Sequence, residues 1–331
     1  MLSNAPCDGR AWWPCAGTYR TTRVRFGIQT PQEGASFDAL ATHWREADAL
    51  GYDTIWLDDH FYGVVRPAGE PQLEGFTTLA ALARETSRIE IGLLVACNSY
   101  RNPALLAKMA ASVDNISGGR YVHGIGSGWF EGEYEGYGYE FPPVPVRLAQ
   151  LDEALKLQKL MWAEERASFT GRHYRVHEAW CNPKPVRKPH PPVLIGGGGE
   201  KVLLRLVARH ADVWNNGGTV DEFRHKLGVL RAHCDAERRS YDAIEKSWFG
   251  SVVIDADPAR AQTRLERLAA AWGMSADDMA KRALAGTPEQ VVARIREYVD
   301  IGVTHFIGMY GRVDDLRSTR LFAEQVLPAF R

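Results

Sequence analysis

The alternation of apolar runs and polar breaks is clearest between residues 89 and 129. Ile89–Ala96 is a continuous apolar run, which is typical of a strand buried on both faces in a parallel sheet. After Pro103, a residue suited to the first position of a helix, apolar residues recur at three- and four-residue spacing. Gly118 begins a Gly-Gly pair that ends this helix, and Tyr121–Ile125 follows as a second apolar run. The segment predicts a strand, a crossover helix and a parallel strand.

The same unit repeats along the chain. Eight runs of strand length, nearly all followed by a helical pattern, lie at Val24–Gln29, Asp53–Leu57, Ile89–Ala96, Tyr121–Ile125, Pro192–Ile195, Asp212–Trp214, Trp248–Ile254 and Thr304–Met309. Strands and helices that alternate in this number predict an α/β fold, a closed (β/α)₈ TIM barrel. An open doubly wound sheet has the same local pattern and is the alternative.

Three segments do not fit the repeating unit. Residues 1–23 have no apolar core long enough for a signal peptide, so we interpret them as a non-core extension of a single barrel domain at 24–331. Trp129–Pro145 is rich in Gly, Tyr, Glu and Pro and is predicted to be a long functional or mobile loop. Residues 164–192 show no long period and are predicted to be an insertion with a small hairpin around Gly171.

The composition excludes several classes of partner. In 331 residues, 40 Lys and Arg balance 41 Asp and Glu, and the basic residues are scattered, so no nucleic-acid-binding surface is predicted. No stretch is long and apolar enough to span a membrane. Five cysteines, at spacings that match no metal or disulfide pattern, indicate free thiols in a reducing compartment. We therefore expect a cytoplasmic protein.

Candidate chemistry lies where the predicted strands end, because a barrel carries its site at the carboxyl ends of its strands. Asp59 and His60 follow the second strand and could form an acid–base pair, since a neighbouring carboxylate raises the pKa of a histidine. The alternative is that they only orient a ligand or cap a helix. No two histidines are spaced as metal ligands, so no metal site is predicted.

A run of four glycines, Gly196 to Gly199, separates the fifth strand from its helix. Backbone N–H groups that converge at a helix start favour a phosphate, although a plain tight turn is also consistent with the run. The spacing fits neither the dinucleotide fingerprint nor the P-loop. Three aromatic residues near strand ends, Trp129, Tyr134 and Trp214, could stack on an aromatic cofactor or simply belong to the core.

Several short motifs together carry a family resemblance. They are Asp59-His60-Phe61, Tyr100-Arg101-Asn102-Pro103-Ala104, Ser117-Gly118-Gly119-Arg120, Gly124-Ile125-Gly126-Ser127-Gly128-Trp129, Asn182-Pro183-Lys184-Pro185, Ile195 with the four glycines, and Ala211-Asp212-Val213-Trp214-Asn215. Their order and spacing, from about Val24 to Phe330, resemble those of the bacterial luciferase-like flavin and deazaflavin oxidoreductases. The resemblance implies a TIM barrel that binds coenzyme F420 or FMN.

The segment from Tyr100 to Trp129 is most similar to the F420 branch of that family. This similarity implies hydride transfer between coenzyme F420 and a small organic substrate. The alternatives are an FMN-dependent two-component monooxygenase, which uses reduced flavin and O₂, and a non-catalytic flavin-binding barrel. The resemblance also implies a homodimer, with a separate flavin or F420 reductase as a further partner.

The resemblance assigns roles to individual residues. His60 is implied as a proton donor or acceptor beside the ring, oriented by Asp59. A non-prolyl cis peptide is common in the third strand and would fall within Leu93–Ala96. Sugar-phosphate dehydrogenases of the family have an acidic residue where this chain has Trp129, which argues against a sugar phosphate as the substrate. Together with the three aromatic candidates above, the predicted cofactor-binding residues are Leu94, Val95, Asn98, Ser127, Trp129, Tyr134, Gly197, Gly198, Gly199, Trp214 and Asn215.

Overall fold

The computed structural model of the chain describes residues 23–64 and 67–331. Residues 1–22, and with them nearly all of the predicted N-terminal extension, lie outside the described residues. Three cysteines within the described ranges are buried free thiols, as expected from their spacing: Cys97, Cys181 and Cys234. None of the helices described is both long enough and apolar enough to pass through a bilayer.

The described part of the chain contains twelve strands. They are β1 (Arg25–Gln29), β2 (Thr54–Leu57), β3 (Glu90–Leu93), β4 (Ala96–Cys97), β5 (Tyr121–Gly126), β6 (Arg166–Thr170), β7 (Arg175–Trp180), β8 (Val193–Gly196), β9 (Val213–Asn216), β10 (Glu245–Ile254), β11 (Leu284–Gly286) and β12 (His305–Met309). Eight of them pair in parallel in the order β1, β2, β3, β5, β8, β9, β10, β12.

The sheet closes on itself. Gly27 in β1 pairs with Thr54 in β2 on one side and with Ile307 in β12 on the other. The predicted (β/α)₈ barrel is therefore confirmed, and the open sheet is excluded.

Eleven helices of the described chain surround or cap this barrel. They are α1 (Phe37–Leu50), α2 (Gly75–Glu85), α3 (Pro103–Ser117), α4 (Glu131–Gly136), α5 (Val144–Ala163), α6 (Leu203–His210), α7 (Val220–Ala236), α8 (Pro258–Ala271), α9 (Ala276–Arg282), α10 (Pro288–Val299) and α11 (Arg317–Gln325). The predicted boundaries of α3 hold because the side chain of Asn102 accepts the N–H of Ala104, and Gly118 adopts φ 68°.

The structure differs from the sequence prediction in three places. The predicted loop from Trp129 to Pro145 contains α4 and the first residues of α5. Helix α4 has only six residues, too few to show a helical period in the sequence. Strand β10 starts at Glu245 rather than Trp248. The sequence pattern missed its first three residues because they are buried but polar, and so do not form an apolar run. Strand β11, with three residues, was not predicted; it extends the sheet beside β10.

The insertion is a two-stranded antiparallel hairpin of β6 and β7, as predicted. Its turn is fastened to α5, because the carboxylate of Glu153 accepts the backbone N–H groups of Arg172, His173 and Tyr174. The hairpin thereby brings Tyr174 to the carboxyl end of the barrel, where its hydroxyl meets Asn98.

The amino end of the barrel is closed by a buried ion network. Arg25 in β1 donates to Glu90 in β3 and, at 3.1 Å, to Glu245 in β10. Arg187 donates to Glu90 at 2.9 Å from outside the barrel. The opposite, carboxyl end is the barrel mouth, where the predicted site residues lie.

Candidate active site at the barrel mouth

His60 follows β2 at the mouth, where its side chain is 22% exposed. Its Nδ1 lies 2.8 Å from Oε2 of Glu133, a fully buried residue of α4. The hydroxyl of Tyr100 donates to the same carboxylate at 2.7 Å, and the N–H of Phe61 donates to its other oxygen. These contacts fix the carboxylate and hence the histidine ring, and His60 Nε2 is the ring nitrogen without a partner among the described residues.

The carboxylate sets the protonation of the histidine. Burial disfavours the charged ring, but Glu133, with Asp58 and Asp59 nearby, outweighs burial, so the pKa of His60 is raised above its ordinary value. Burial acts in the opposite direction on Glu133, yet its bond to His60 leaves the pKa of this carboxyl lowered. Burial also raises the pKa of Asp58 to about 6. The arrangement suits proton donation and acceptance near neutral pH.

Asp59 does not orient His60, so the expected orienting role is wrong. Both of its carboxylate oxygens accept from Arg101, at 2.7 and 2.8 Å, and one of them also accepts the N–H of Cys97 at 2.8 Å. Neighbouring residues in an extended segment point to opposite sides, so adjacency in sequence does not bring these two side chains together. Asp59 instead anchors the segment that follows β4.

The expected cis peptide is present between Leu94 and Val95. It separates β3 from β4 and leaves both residues partly exposed. The side chain of Val95 fits between two glycines of the neighbouring strands. A Cβ at Gly126 would lie 2.8 Å from Val95 Cγ2, and one at Gly196 would lie 3.1 Å from Val95 Cγ1. The glycines therefore make room for this bulge, which presents a partly apolar surface to the mouth.

Three polar residues predicted to contact the cofactor, Asn98, Ser127 and Asn215, lie at or after the carboxyl ends of β4, β5 and β9. Asn98 is buried and donates from Nδ2 to the hydroxyl of Tyr174 at 3.1 Å. Its Oδ1 is buried without a partner in the part of the chain that the structure describes. Asn215 donates to Ser247 at 2.9 Å, and Ser127 lies half-buried in the turn after β5. A buried, unused acceptor such as Asn98 Oδ1 fits an N–H group of a flavin or deazaflavin ring.

Two hydrogen bonds fix the conformation of the glycine turn after β8. Gly197, with φ 120°, donates to the carbonyl of Asn215 at 2.9 Å, and the indole of Trp214 donates to the carbonyl of Gly197 at 2.8 Å. The backbone N–H groups of Gly198 and Gly199 have no acceptor within residues 23–64 and 67–331. Two free amides in a fixed turn are the arrangement expected for binding a phosphate.

A lysine that was not predicted lies beside this turn. Lys226 of α7 donates from Nζ to the carbonyl of Gly198 at 2.7 Å and lies 3.4 Å from the carboxylate of Glu200. Its ammonium adds positive charge to the free amides, so the turn fits the phosphate that both FMN and F420 carry.

Two of the three aromatic residues expected to stack on a cofactor cannot do so. Trp214 and Tyr134 are fully buried. Trp214 supports the glycine turn, and the hydroxyl of Tyr134 lies 3.2 Å from Cys97 Sγ. An aromatic residue near a strand end gives no sign of which way its ring points. Trp129 is 63% exposed and meets the ring of His60 edge to face, with centroids 5.9 Å apart, so its indole is open to a ligand that reaches His60.

The family model described as luciferase-like monooxygenase matches residues 17–277 of the chain. This chain belongs to the luciferase-like family. It is 28% identical, over 333 residues, to the F420-dependent glucose-6-phosphate dehydrogenase of Kineococcus radiotolerans, with 93% of this chain and 97% of that protein covered.

Solved structures share the luciferase-like fold. An F420-dependent secondary alcohol dehydrogenase in complex with an F420-acetone adduct has a TM-score of 0.83 at 20% identity, covering 94% of this chain and all of that one. The monooxygenase RslO1 of Streptomyces bottropensis has a TM-score of 0.77 at 22% identity, covering 92% and 99%. At these identities the likeness establishes the fold.

Glu133 and Lys226 are the candidate site residues that sequence reasoning missed. Each lies on a helix that follows a barrel strand. Glu133 contacts His60 and Lys226 contacts the glycine turn, although in each case the two partners are far apart in the sequence. Glu133 had one usable signal. It is an acidic residue next to an aromatic one in a loop that follows a strand end, where acidic residues are often functional. Lys226 had none, since it lies on an ordinary amphipathic helix.

We expect Glu133→Gln to shift the pH dependence of turnover to lower pH. The carboxylate raises the pKa of His60 against burial, so its removal lowers that pKa, whether the reaction needs the neutral or the protonated ring. We expect kcat to fall by about tenfold, as for roughly 1.4 kcal/mol of lost transition-state stabilisation. The pH–rate profile measures both effects. Glu131→Gln, on the exposed side of the same helix, is the matched control and should change neither.

Proposed function

We propose that this luciferase-like barrel is an oxidoreductase that uses coenzyme F420 to transfer a hydride to or from a small organic substrate. The observation that carries this proposal is the His60–Glu133 pair, an acid–base group at the same barrel mouth as the Leu94–Val95 bulge and the glycine turn. Hydride transfer to or from an alcohol or carbonyl group also moves a proton, which this pair can take or give. The choice of F420 over FMN is supported by the similarity in sequence to a named F420-dependent dehydrogenase over 93% of the chain.

The residues of the mouth fit the coenzyme. The amides of Gly198 and Gly199, with Lys226 beside them, would hold the phosphate. Leu94 and Val95 would back the ring, and Ser127, Asn98 and Asn215 would meet its polar edge or side chain. When bound, the coenzyme supplies a ring carbon that accepts or donates a hydride.

The protein supplies proton transfer and orientation. In alcohol oxidation, Nε2 of neutral His60 takes the hydroxyl proton, and Glu133 stabilises the imidazolium through Nδ1. In carbonyl reduction, the protonated ring returns that proton to the oxygen. Tyr100 keeps the Glu133 carboxylate in place through its 2.7 Å hydrogen bond, so the imidazole keeps one orientation in both directions.

Cofactor titration tests the proposal. Purified protein is titrated with F420 and, separately, with FMN, and binding is followed by fluorescence. We expect a micromolar Kd for F420 and binding of FMN at least about tenfold weaker, a difference of roughly 1.4 kcal/mol. A preference for FMN would instead support a two-component monooxygenase. Binding of neither would overturn the proposal in favour of a non-catalytic barrel.

We also propose that the protein works as a cytoplasmic homodimer and exchanges its coenzyme with a separate F420 reductase. Three buried, unpaired thiols suit a reducing compartment. Half-exposed Trp180 and Trp272 on the outer surface are compatible with burial in a subunit interface. Sedimentation of the full chain tests the dimer, with a mass near 36.9 kDa contradicting it.

A further inference from the structure

We infer that the substrate is an uncharged alcohol or carbonyl compound with a flat apolar ring, which packs against Trp129 while its oxygen reaches His60. This inference rests on the proposed F420-dependent function, because it names the substrate class of the same site. The residues that carry it lie around His60 and Trp129, not in the glycine turn.

An aromatic wall stands beside the acid–base histidine, formed by Tyr62, Trp129 and Phe130. The rings of Trp129 and Phe130 lie 5.4 Å apart, Tyr62 packs on Phe130 at 5.9 Å, and His60 meets both Trp129 and Phe130 edge to face. Such contacts hold the indole in place although 63% of Trp129 is exposed. Apolar surface that is fixed and open to solvent favours a ligand that covers it.

Arg101 and Arg147, which contact the segments around His60 and Trp129, already have partners. An anionic substrate needs a cation that is free to pair with it. Arg101 pairs with Asp59 and Glu74, and Arg147 donates to the carbonyl of Gly128.

The charges nearest to His60 are negative. Glu133 bonds the imidazole directly, and Asp58 accepts the backbone N–H of His60 at 3.5 Å. A dianionic substrate in this mouth would be repelled by these carboxylates, whereas an uncharged carbonyl or hydroxyl compound would not. The relatives named glucose-6-phosphate dehydrogenase act on a dianion. The wall and the charges of this chain disfavour such a substrate.

A site with one aromatic wall and a single reachable acid–base group resembles the usual small-molecule pocket, which is mostly apolar with few polar groups that fix orientation. Here the imidazole of His60 fixes the oxygen, and Trp129 fixes the plane of the ring. A planar substituent next to the reacting carbon gains contact with the indole, so Trp129 acts as a specificity-determining residue.

The test measures binding to the full-length chain loaded with oxidised F420. Acetophenone, an uncharged ring ketone, is the probe, because a ketone cannot reduce the oxidised coenzyme and so binds without reaction. Glucose 6-phosphate is the charged comparator. By calorimetry we expect acetophenone to bind at least about tenfold more tightly than glucose 6-phosphate. We expect no loss of the visible absorbance of F420 with glucose 6-phosphate.

Variants of the wall separate substrate contact from a general effect. We expect Trp129→Ala to weaken acetophenone about tenfold and Trp129→Phe only about twofold, with the Kd for F420 changed less than about twofold in both. Trp272→Ala removes a similarly exposed tryptophan directly after α8 and should change neither Kd.

The outcomes that overturn this inference differ from those that overturn the proposed function. Failure of the wild-type chain to bind F420 removes the function itself. If F420 binds, the inference is wrong where glucose 6-phosphate binds as tightly as acetophenone or reduces the coenzyme. It is equally wrong where acetophenone does not bind, or where Trp129→Ala weakens F420 rather than acetophenone.

Discussion

Replacing His60 by alanine is expected to lower kcat by about 10²- to 10⁴-fold while the Kd for F420 changes by less than about threefold. The imidazole is the proton donor or acceptor of the mouth, and its Nδ1 is committed to Glu133. The coenzyme is expected to bind to other segments, the Leu94–Val95 bulge and the glycine turn. The loss should therefore fall on turnover and not on cofactor binding. Steady-state kinetics and fluorescence titration of the same preparation measure the two quantities.

The matched control is His177→Ala, which removes an exposed histidine of the hairpin strand β7 and should leave kcat unchanged. A parallel loss of turnover and of cofactor affinity in the His60 variant would make the imidazole a binding group. A loss of turnover with an unfolded protein is recognised by far-UV circular dichroism, and His60→Gln then repeats the test with a side chain closer in size.

The barrel could be predicted from local sequence because each unit carries its own signals. Apolar runs mark strands that are covered on both faces, and a capping residue such as Asn102 marks a helix start. Closure of the sheet is not local, since it depends on pairing between β1 and β12, nearly 280 residues apart. The number of repeats predicted it correctly.

The rule that barrel chemistry lies at the carboxyl ends of strands pointed to His60 and the glycine turn, and the family resemblance implied the cis-peptide bulge. It could not supply directions of side chains. Asp59 and His60 are adjacent yet bind different partners, and the real partner of His60 is 73 residues away. Trp214 lies in β9 and Tyr134 in α4, and both are fully buried.

Polar pairs between loops leave little trace in a sequence. The bond between Glu133 and His60 needs a short helix, α4, that has no periodic pattern, and Lys226 reaches the glycine turn from a separate helix. Such contacts depend on the packing of whole units. The same packing exposes Trp129, which follows β5, and buries Trp214, which lies in β9.

Gly198→Asp is expected to raise the Kd for F420 by about 100-fold, a loss of roughly 2.7 kcal/mol. Unlike Gly197, Gly198 does not have a positive φ, so a side chain there does not strain the backbone. A Cβ would lie 2.9 Å from Asn216 Oδ1 and 3.1 Å from Lys226 Nζ, both at the ends of flexible side chains that can move. The added carboxylate would then pair with Lys226 and repel the phosphate.

Gly198→Ala separates charge from size at the same position. We expect the alanine variant to raise the Kd by less than about fivefold, because it adds a methyl group without a charge. An equal loss in the two variants would mean that the space at the turn, and not its charge, decides binding. If the aspartate variant binds F420 as tightly as the wild type, the phosphate lies elsewhere, since no anion would tolerate a carboxylate between two donating amides and their lysine.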